Sequence, residues 1–188
     1  QAAWVGMGWS LDTGYIQRNM HGTMTWLEDD TYSLSANGIG GMMLKGTDGY
    51  YHTTNESFWR IQYVPGNNGT DYWIAWDKTG NQYYYGYKDS DRAHYPNLDP
   101  ELCEPGEIGE PVTWRWELSK IRNIYGQEII YNYTVISKWV SSDPCGTDEQ
   151  FGVDRDIYPS EIIYPNWHYR VLFTVAEDRT DLDHKWTL

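Results

Sequence analysis

The sequence is poor in the residues and patterns from which helices are built. Six alanines stand against 18 glycines and eight prolines, and no window carries an apolar stripe at helical spacing. A run of about 18 apolar residues, which a membrane-spanning helix needs, is also missing. These absences exclude a helical bundle and leave no segment to cross a membrane as a helix. The chain is therefore predicted to be nearly all β.

Positive charge is the second shortage. The 14 lysines and arginines face 27 acidic residues, which gives a net charge of −13 and a pI near 4.6. Nucleic-acid binding needs a basic patch that neutralises phosphates, and the sequence has none. The same deficit argues against binding to an anionic membrane. An acidic surface is typical of secreted proteins, so we expect a secreted or cell-surface location.

Aromatic residues are abundant, with 11 Trp and 17 Tyr but only three Phe. The clearest strand signal lies in residues 113–139. Trp116 and Leu118 alternate with polar neighbours, and the run after Gly126 repeats this period of two. The segment is predicted to form one long β-hairpin that turns at Gly126. The alternation loses phase at residues 119–121, which predicts a bulge or a strand end there.

The two cysteines are placed as if to close the base of this hairpin. Facing residues of an antiparallel pair have a constant sum of positions, near 249 for this turn, and Cys103 and Cys145 sum to 248. A disulfide between them would stabilise the fold by about 4 kcal/mol in the chain-entropy model. It would also imply an oxidising compartment. The alternative is two unrelated buried thiols.

Turn signals recur about every eight to twelve residues along the rest of the chain, a spacing typical of antiparallel sheets. We predict one all-β domain over residues 1–188, an antiparallel meander of hairpins that forms a curled open sheet, a sandwich or a partial barrel. Residues 88–111 are rich in prolines and acids and are predicted to be a long connection, with a possible weak domain boundary. Residues 141–158 are predicted to be another loop.

A series of short motifs follows the same order along the chain as in a known family. They are Gly6-x-Gly8-Trp9-Ser10-Leu11 with Gly14, Ile16 and Arg18; Tyr32-x-Leu34; Tyr51-x-Thr53 with Glu56, Phe58, Arg60 and Ile61; Trp76 with Gly80, Tyr83, Tyr85 and Gly86; Trp116-x-Leu118 with Ile121, Gly126, Ile130, Asn132 and Tyr133; and Ile162-x-Tyr164 with Val171, Phe173, Arg179 and Asp181. Together they resemble the RHS/YD-repeat shell proteins, closest to toxin-complex B components and plasmid virulence B-type proteins. Asn123 and Gln127 depart from the family pattern, which has Asp and Asn there.

The resemblance implies a β-sheet shell that wraps cargo, or a secreted protein that contains one segment of such a sheet. The expected partners are copies of the chain itself or the remainder of a larger shell. We therefore expect a non-catalytic structural β-domain. In a self-assembling version, residues 1–5 would add as a strand to a neighbour's open sheet edge and build a filament.

Binding and catalytic sites are weakly indicated by the sequence. The five histidines show no metal-ligand spacing, and no nucleophile motif is present, so no metal, no cofactor and no enzymatic activity are expected. Three glycosylation sequons begin at Asn55, Asn68 and Asn132, close to the number expected by chance. The alternative function is a carbohydrate-binding module whose stacking platform consists of Trp59, Trp73, Trp76, Tyr83 and Tyr85. These same rings could instead pack the core.

Overall fold

The computed structural model describes residues 11–21, 30–36, 38–66, 70–97, 109–140 and 151–174, and this part of the chain is one antiparallel sheet. No described helix is long and apolar enough to cross a membrane. The helical content of these residues is two 3₁₀ turns. The strands are β1 (Tyr15–Asn19), β2 (Thr31–Ala36), β3 (Ile39–Lys45), β4 (Tyr51–Thr53), β5 (Arg60–Val64), β6 (Tyr72–Trp76), β7 (Gln82–Tyr85), β8 (Arg92–Asn97), β9 (Gly109–Arg122), β10 (Glu128–Val140), β11 (Phe151–Ile163) and β12 (Arg170–Leu172).

The sheet closes on itself to form a barrel. Strands β1 to β7 pair in sequence, β7 pairs with β9, and β9 pairs back to β1, with Ile16 facing Trp116. Eight strands form this ring, and β10, β11 and β12 continue from β9 as a wing outside it. The all-β, antiparallel prediction is confirmed. The barrel is closed because β9 is long enough to pair with two strands on each of its edges.

The predicted central hairpin exists, but its two long strands separate soon after the turn. Their described pairing runs from Glu128 opposite Arg122 to Ile130 opposite Lys120. Beyond it, β9 pairs with β1 while β10 pairs with β11. Facing positions sum to 250 rather than 249, since Glu128 faces Arg122. The disulfide prediction requires the two strands to stay paired down to the base of the hairpin, but their described pairing ends at Ile130 opposite Lys120. The register argument therefore no longer supports the bridge. Cys103 and Cys145 lie outside the described residues, so their bridge stays a prediction.

The β9–β10 turn and the β6–β7 turn are built by the same hydrogen bonds. In the β6–β7 turn the Asp77 carboxylate accepts the N–H groups of Thr79 and Asn81 at 2.8 and 3.0 Å. In the β9–β10 turn the Asn123 side chain accepts those of Tyr125 and Gln127, both at 3.0 Å. Asn123 therefore preserves the turn despite departing from the family pattern, because its side-chain oxygen supplies the same acceptor. The side-chain bond across the turn is reversed, since Asn123 Nδ2 donates to Gln127 Oε1 at 2.8 Å whereas Asn81 Nδ2 donates to Asp77 Oδ2 at 2.9 Å.

Two segments predicted as loops contain strands. In residues 88–111 the chain forms β8, which pairs with β9, so the described part of this stretch belongs to the same sheet. The predicted loop at residues 141–158 ends early, because β11 begins at Phe151 and pairs with β10. Neither strand was visible in the sequence: Pro96 interrupts β8, and acidic residues lie along β11. Pairing with long neighbours overrides these weak local signals.

The barrel interior is filled largely by aromatic side chains. Trp73 lies at its centre and is fully buried, with the rings of Tyr32 and Tyr63 4.9 Å away, that of Tyr51 5.1 Å away and that of Trp116 5.9 Å away. Edge-to-face and tilted contacts of this kind suit the quadrupoles of the rings. An eight-stranded barrel is just wide enough for its own side chains to fill it.

The predicted sugar-stacking platform does not form an exposed face. Trp59, Trp73, Tyr83 and Tyr85 are all buried, and Trp59 stacks on Tyr83 inside the core at 4.5 Å. Only Trp76 faces outward, half-buried. The reason is the period of two in β6 and β7, which sends alternate side chains to opposite faces of the barrel wall.

Candidate functional site

The candidate site is the junction between the barrel and the wing, formed on the outer side of β9. Trp116 and Leu118 point into the barrel, while Glu117 and Ser119 are buried on the opposite face. The pairing with β7 skips Ser119, because Tyr84 faces Lys120 and Tyr85 faces Leu118. This bulge confirms the loss of phase seen in the sequence. It leaves the Ser119 hydroxyl free to accept the Tyr87 N–H at 2.7 Å.

Glu117 is the most perturbed carboxylate of the junction. Its side chain is 4% exposed, and Arg115 Nε donates to it at 2.5 Å. Burial raises the pKa of Glu117 to about 7, with Arg115 opposing the shift and the nearby Asp12 and Asp91 adding to it. The Arg115 guanidinium also lies 3.8 Å from the Tyr15 ring centre. Glu117 is therefore a carboxylic acid that changes charge near neutral pH.

Asp91 is a second buried acid of the junction, held in the 3₁₀ turn Asp89–Asp91. Burial raises its pKa, and hydrogen bonding to Ser119 and the charge of Lys88 partly oppose that shift. Lys88 Nζ lies 3.6 Å from the Asp91 carboxylate. Raised carboxylate pKa values are found at catalytic sites, but they also occur in structural networks. Among the described residues, no group of three or more His, Cys, Asp or Glu side chains could hold a metal ion.

The same junction fastens the wing to the barrel. Lys88 Nζ donates to the Tyr131 carbonyl at 2.6 Å and to the Asn132 side-chain oxygen at 2.7 Å. The Tyr133 hydroxyl, on the same strand, donates to the Leu118 carbonyl at 2.8 Å. The contacts join β10 to the barrel wall where the two strands of the hairpin begin to diverge. They extend the attachment of the wing beyond the backbone pairing of β10 with β9, whose described part ends at Ile130.

A second polar contact holds the far part of the wing. The His94 backbone N–H donates to Asp154 Oδ2 at 3.0 Å, and the Ser137 hydroxyl donates to Asp154 Oδ1 at 2.6 Å. Burial alone would raise the pKa of Asp154, but the hydrogen bonds from His94 and Ser137 outweigh it and lower that pKa. Asp154 thus links β8, β10 and β11 as an ionised acceptor.

The motif residues Ile16 and Arg18 lie inside the barrel. Arg18 is 4% exposed, and its guanidinium carbon lies 5.6 Å from the Tyr32 ring and 5.5 Å from the Trp116 ring. Arg18 Nε is 3.8 Å from the Asp30 carboxylate. Cation–π contacts and a neighbouring acid together make burial of this charge tolerable. In this chain the motif arginine is therefore a core residue.

The predicted glycosylation sites have unequal settings. Asn55 is exposed in the β4–β5 loop, as an acceptor requires. The Asn132 amide nitrogen donates to Glu161 Oε2 at 3.1 Å, and a glycan on that nitrogen would have to fit beside the Glu161 carboxylate. Asn68 lies outside the described residues. Use of any of the three stays a prediction.

The junction acids have no direct signature in the sequence. Glu117 sits on the polar side of a strand that alternates regularly, which predicts a solvent-exposed side chain. The one available signal was the unusual length of the two hairpin strands. Strands of that length extend beyond the barrel wall and can carry a second layer. Here the wing is the layer that lies against the outer face of β9.

Replacing Glu117 with Gln is expected to remove a pH dependence of stability. The folded pKa, about 7, lies above the ordinary value of 4.5, so the carboxyl favours folding below pH 4.5 and loses that contribution as the pH rises through 7. The shift corresponds to about 3 kcal/mol. Urea unfolding at several pH values should show that the free energy of unfolding of the Gln variant, relative to that of the wild type, increases as the pH rises. A constant difference would contradict the assignment.

Comparisons with known proteins bear on the fold. No protein-family model matches the chain, and no curated protein matches its sequence. The N-terminal domain of effector protein SpvB from Salmonella typhimurium strain LT2 matches with a TM-score of 0.53 at 22% identity, over 86% of this chain and 56% of that chain. The Photorhabdus luminescens Tc holotoxin pore matches with a TM-score of 0.53 at 18% identity, over 87% of this chain and 8% of that chain.

A third match is TcdB2-TccC3 without its hypervariable C-terminal region, with a TM-score of 0.53 at 17% identity, over 84% of this chain and 8% of that chain. This chain thus spans little more than half of one matched protein and less than a tenth of the other two. The described chain therefore shares the fold of a part of RHS-repeat-related toxin-complex components and of the SpvB N-terminal domain, as the sequence motifs predicted.

Proposed function

We propose that this chain is a non-catalytic structural β-domain, one segment of a larger secreted β-shell whose sheet continues past β12. The observation that carries the proposal is the outer edge of β12. Among the described strands β12 pairs only with β11, and all three of its residues are exposed. Val171 is 42% exposed and Leu172 61% exposed. An exposed apolar edge is a template for another strand.

The backbone of β12 presents hydrogen-bonding groups outward at alternate positions. The Phe173 N–H donates to the Ser160 carbonyl, and the Tyr169 carbonyl accepts from the Tyr164 N–H, so these odd-numbered residues face β11. Arg170 and Leu172 consequently direct their N–H and C=O groups to the free edge. A following strand of the same polypeptide would pair with them in a shell.

The difference in length between this chain and a matched toxin-complex chain supports the proposal. The matched toxin-complex chain is far longer than this one, which covers 8% of it. Under the proposal, neighbouring segments of the longer polypeptide complete the sheet. In the filament version of the proposal, a strand from residues 1–5 of another copy would fill the same edge, and a head-to-tail contact of this kind does not close.

Leu172→Pro is expected to block strand addition and leave the fold intact. Proline removes the outward N–H of Leu172, and the ladder to β11 does not use that group. The 188-residue chain should associate as concentration rises, and the variant should stay monomeric in light scattering. Leu172→Ala keeps the N–H and should associate like the wild type.

Negative-stain images of the associated species separate the two versions. Filaments would favour strand donation between copies, while short, limited oligomers would favour a segment cut from a larger sheet. A wild type that stays monomeric at every concentration, indistinguishable from Leu172→Pro, would contradict the proposal.

A further inference from the structure

Four turns lie along the same end of the sheet. They are residues 54–59, 77–81, 123–127 and 164–169, and they join β4 to β5, β6 to β7, β9 to β10 and β11 to β12. These strand pairs are consecutive in the sheet order, so the four turns follow one another along the same end. Two of them touch: a methyl group added at Gly80 would lie 3.0 Å from Ile124 Cγ2.

This end carries the most exposed aromatic side chains among the described residues. Tyr125 is 83% exposed, Tyr169 76%, Trp167 73% and Phe58 71%. We call these four residues the aromatic rim. They protrude from three separate turns. Single exposed apolar residues are common on protein surfaces, but a row of large ones at one end marks an interaction site.

The backbone at two rim residues is strained. Phe58 has a φ of 58° and Trp167 a φ of 60°, in the left-handed region that bulky residues avoid. Glycine or asparagine would fit these turn positions better. Neither burial nor backbone preference accounts for Phe and Trp there. Strain kept at exposed positions indicates a requirement for the side chain itself.

The charge of this end differs from that of the whole chain: the four turns, with one residue on either side of each, carry four Lys or Arg against three acids (Glu56, Asp77 and Glu128), a net charge of +1. Arg60, Lys78, Arg122 and Arg170 are exposed in or beside the four turns, although the chain has only 14 lysines and arginines and a net charge of −13. The acids of the turns are engaged locally. Glu56 accepts the Phe58 N–H at 2.6 Å, and Asp77 accepts the bonds of its own turn. The rim is thus flanked by four exposed cations, of which Arg170 lies 3.5 Å from the Glu161 carboxylate and Arg60 lies over the Tyr50 ring.

We infer that the aromatic rim docks on the surface of a phospholipid bilayer. Trp and Tyr place an apolar body and a polar tip at the headgroup level, and flanking Arg and Lys side chains bind lipid phosphates. A protein partner would need a matching pocket for each protruding tip, whereas a headgroup layer accommodates separate tips without one. The net charge argues against membrane binding of the chain as a whole. The local charge at the rim favours it.

The test is flotation of the 188-residue chain with vesicles of phosphatidylcholine, with and without phosphatidylserine. The wild type should float with both, and more with the anionic vesicles at low salt. The double variant Phe58→Asn, Trp167→Asn should lower the bound fraction at least about tenfold. It should also raise Tm, because Asn tolerates the left-handed backbone at both positions. A loss of binding together with a gain in stability cannot arise from misfolding.

Leu44→Ser is the matched control. Leu44 is 55% exposed on β3, where it faces His52 of β4, and it lies outside the four turns. It should float like the wild type, and so should Leu172→Pro, which tests the sheet edge separately. Absence of wild-type flotation, or equal flotation of the double variant, would overturn the inference. Loss of self-association in the double variant, without any effect of vesicles, would instead identify the rim as a contact between copies.

Discussion

Gly86→Ala is expected to unfold the barrel or cost more than about 3 kcal/mol in the free energy of unfolding. A Cβ at Gly86 would lie 2.2 Å from Trp116 Cδ1 and 3.0 Å from both Trp116 Cβ and Cγ. Trp116 has no room to yield, because it is fully buried and its Nε1 donates to the Asp71 carbonyl and carboxylate at 3.1 Å each. Denaturant unfolding followed by tryptophan fluorescence measures the loss.

Gly38→Ala is the control that separates this clash from backbone strain. Gly38 has a φ of 79°, close to the 70° of Gly86, but nothing lies within 4 Å of its added Cβ. Its substitution should cost only about 1 kcal/mol. If the two variants lose the same stability, backbone conformation rather than the close approach of Trp116 sets the requirement for glycine at position 86.

Trp73→Ala should lower the free energy of unfolding by about 3–5 kcal/mol, the second large effect expected. The side chain is fully buried and contacts four other aromatic rings. Its removal leaves a cavity at the centre of the barrel, and rigid rings anchored on several strands cannot close it. The same unfolding measurement applies.

Trp76→Ala provides the comparison on the same strand. Trp76 points outward, half-buried, with its ring 6.2 Å from that of Tyr50 in an edge-to-face contact. Its removal should cost about 1 kcal/mol or less. Similar losses for the two variants would show that the face alternation of β6 is not as described.

Much of the strand plan could be predicted because β-strands have a local signature. The alternation of β6, the turn at Gly126 and the bulge at Ser119 are properties of a few neighbouring residues. By contrast, β8 and the first half of β11 have weak local patterns, and they form strands because β9 and β10 offer long unpaired edges. Pairing partners distant in sequence cannot be read from composition.

The candidate junction was less predictable than the fold. Alternation places Glu117 on the polar face of its strand, and the sequence does not show that a second layer covers that face. The platform predicted for sugars failed for a related reason. That alternative needs Trp73 and Trp76 on one exposed face, whereas their spacing of three residues puts them on opposite faces of a strand.

The sequence by itself determined an antiparallel β-protein with named turns, and its motifs indicated a fold of the RHS/YD type. Each of these depends on residues close together in the chain. Only the tertiary structure decided that β1 closes the barrel on β9, that the two strands of the hairpin separate, and that β12 is the last strand of the sheet among the described residues. These depend on which distant edges pair, and the choice is made by the fit of Trp73, Trp116 and their neighbours inside the barrel.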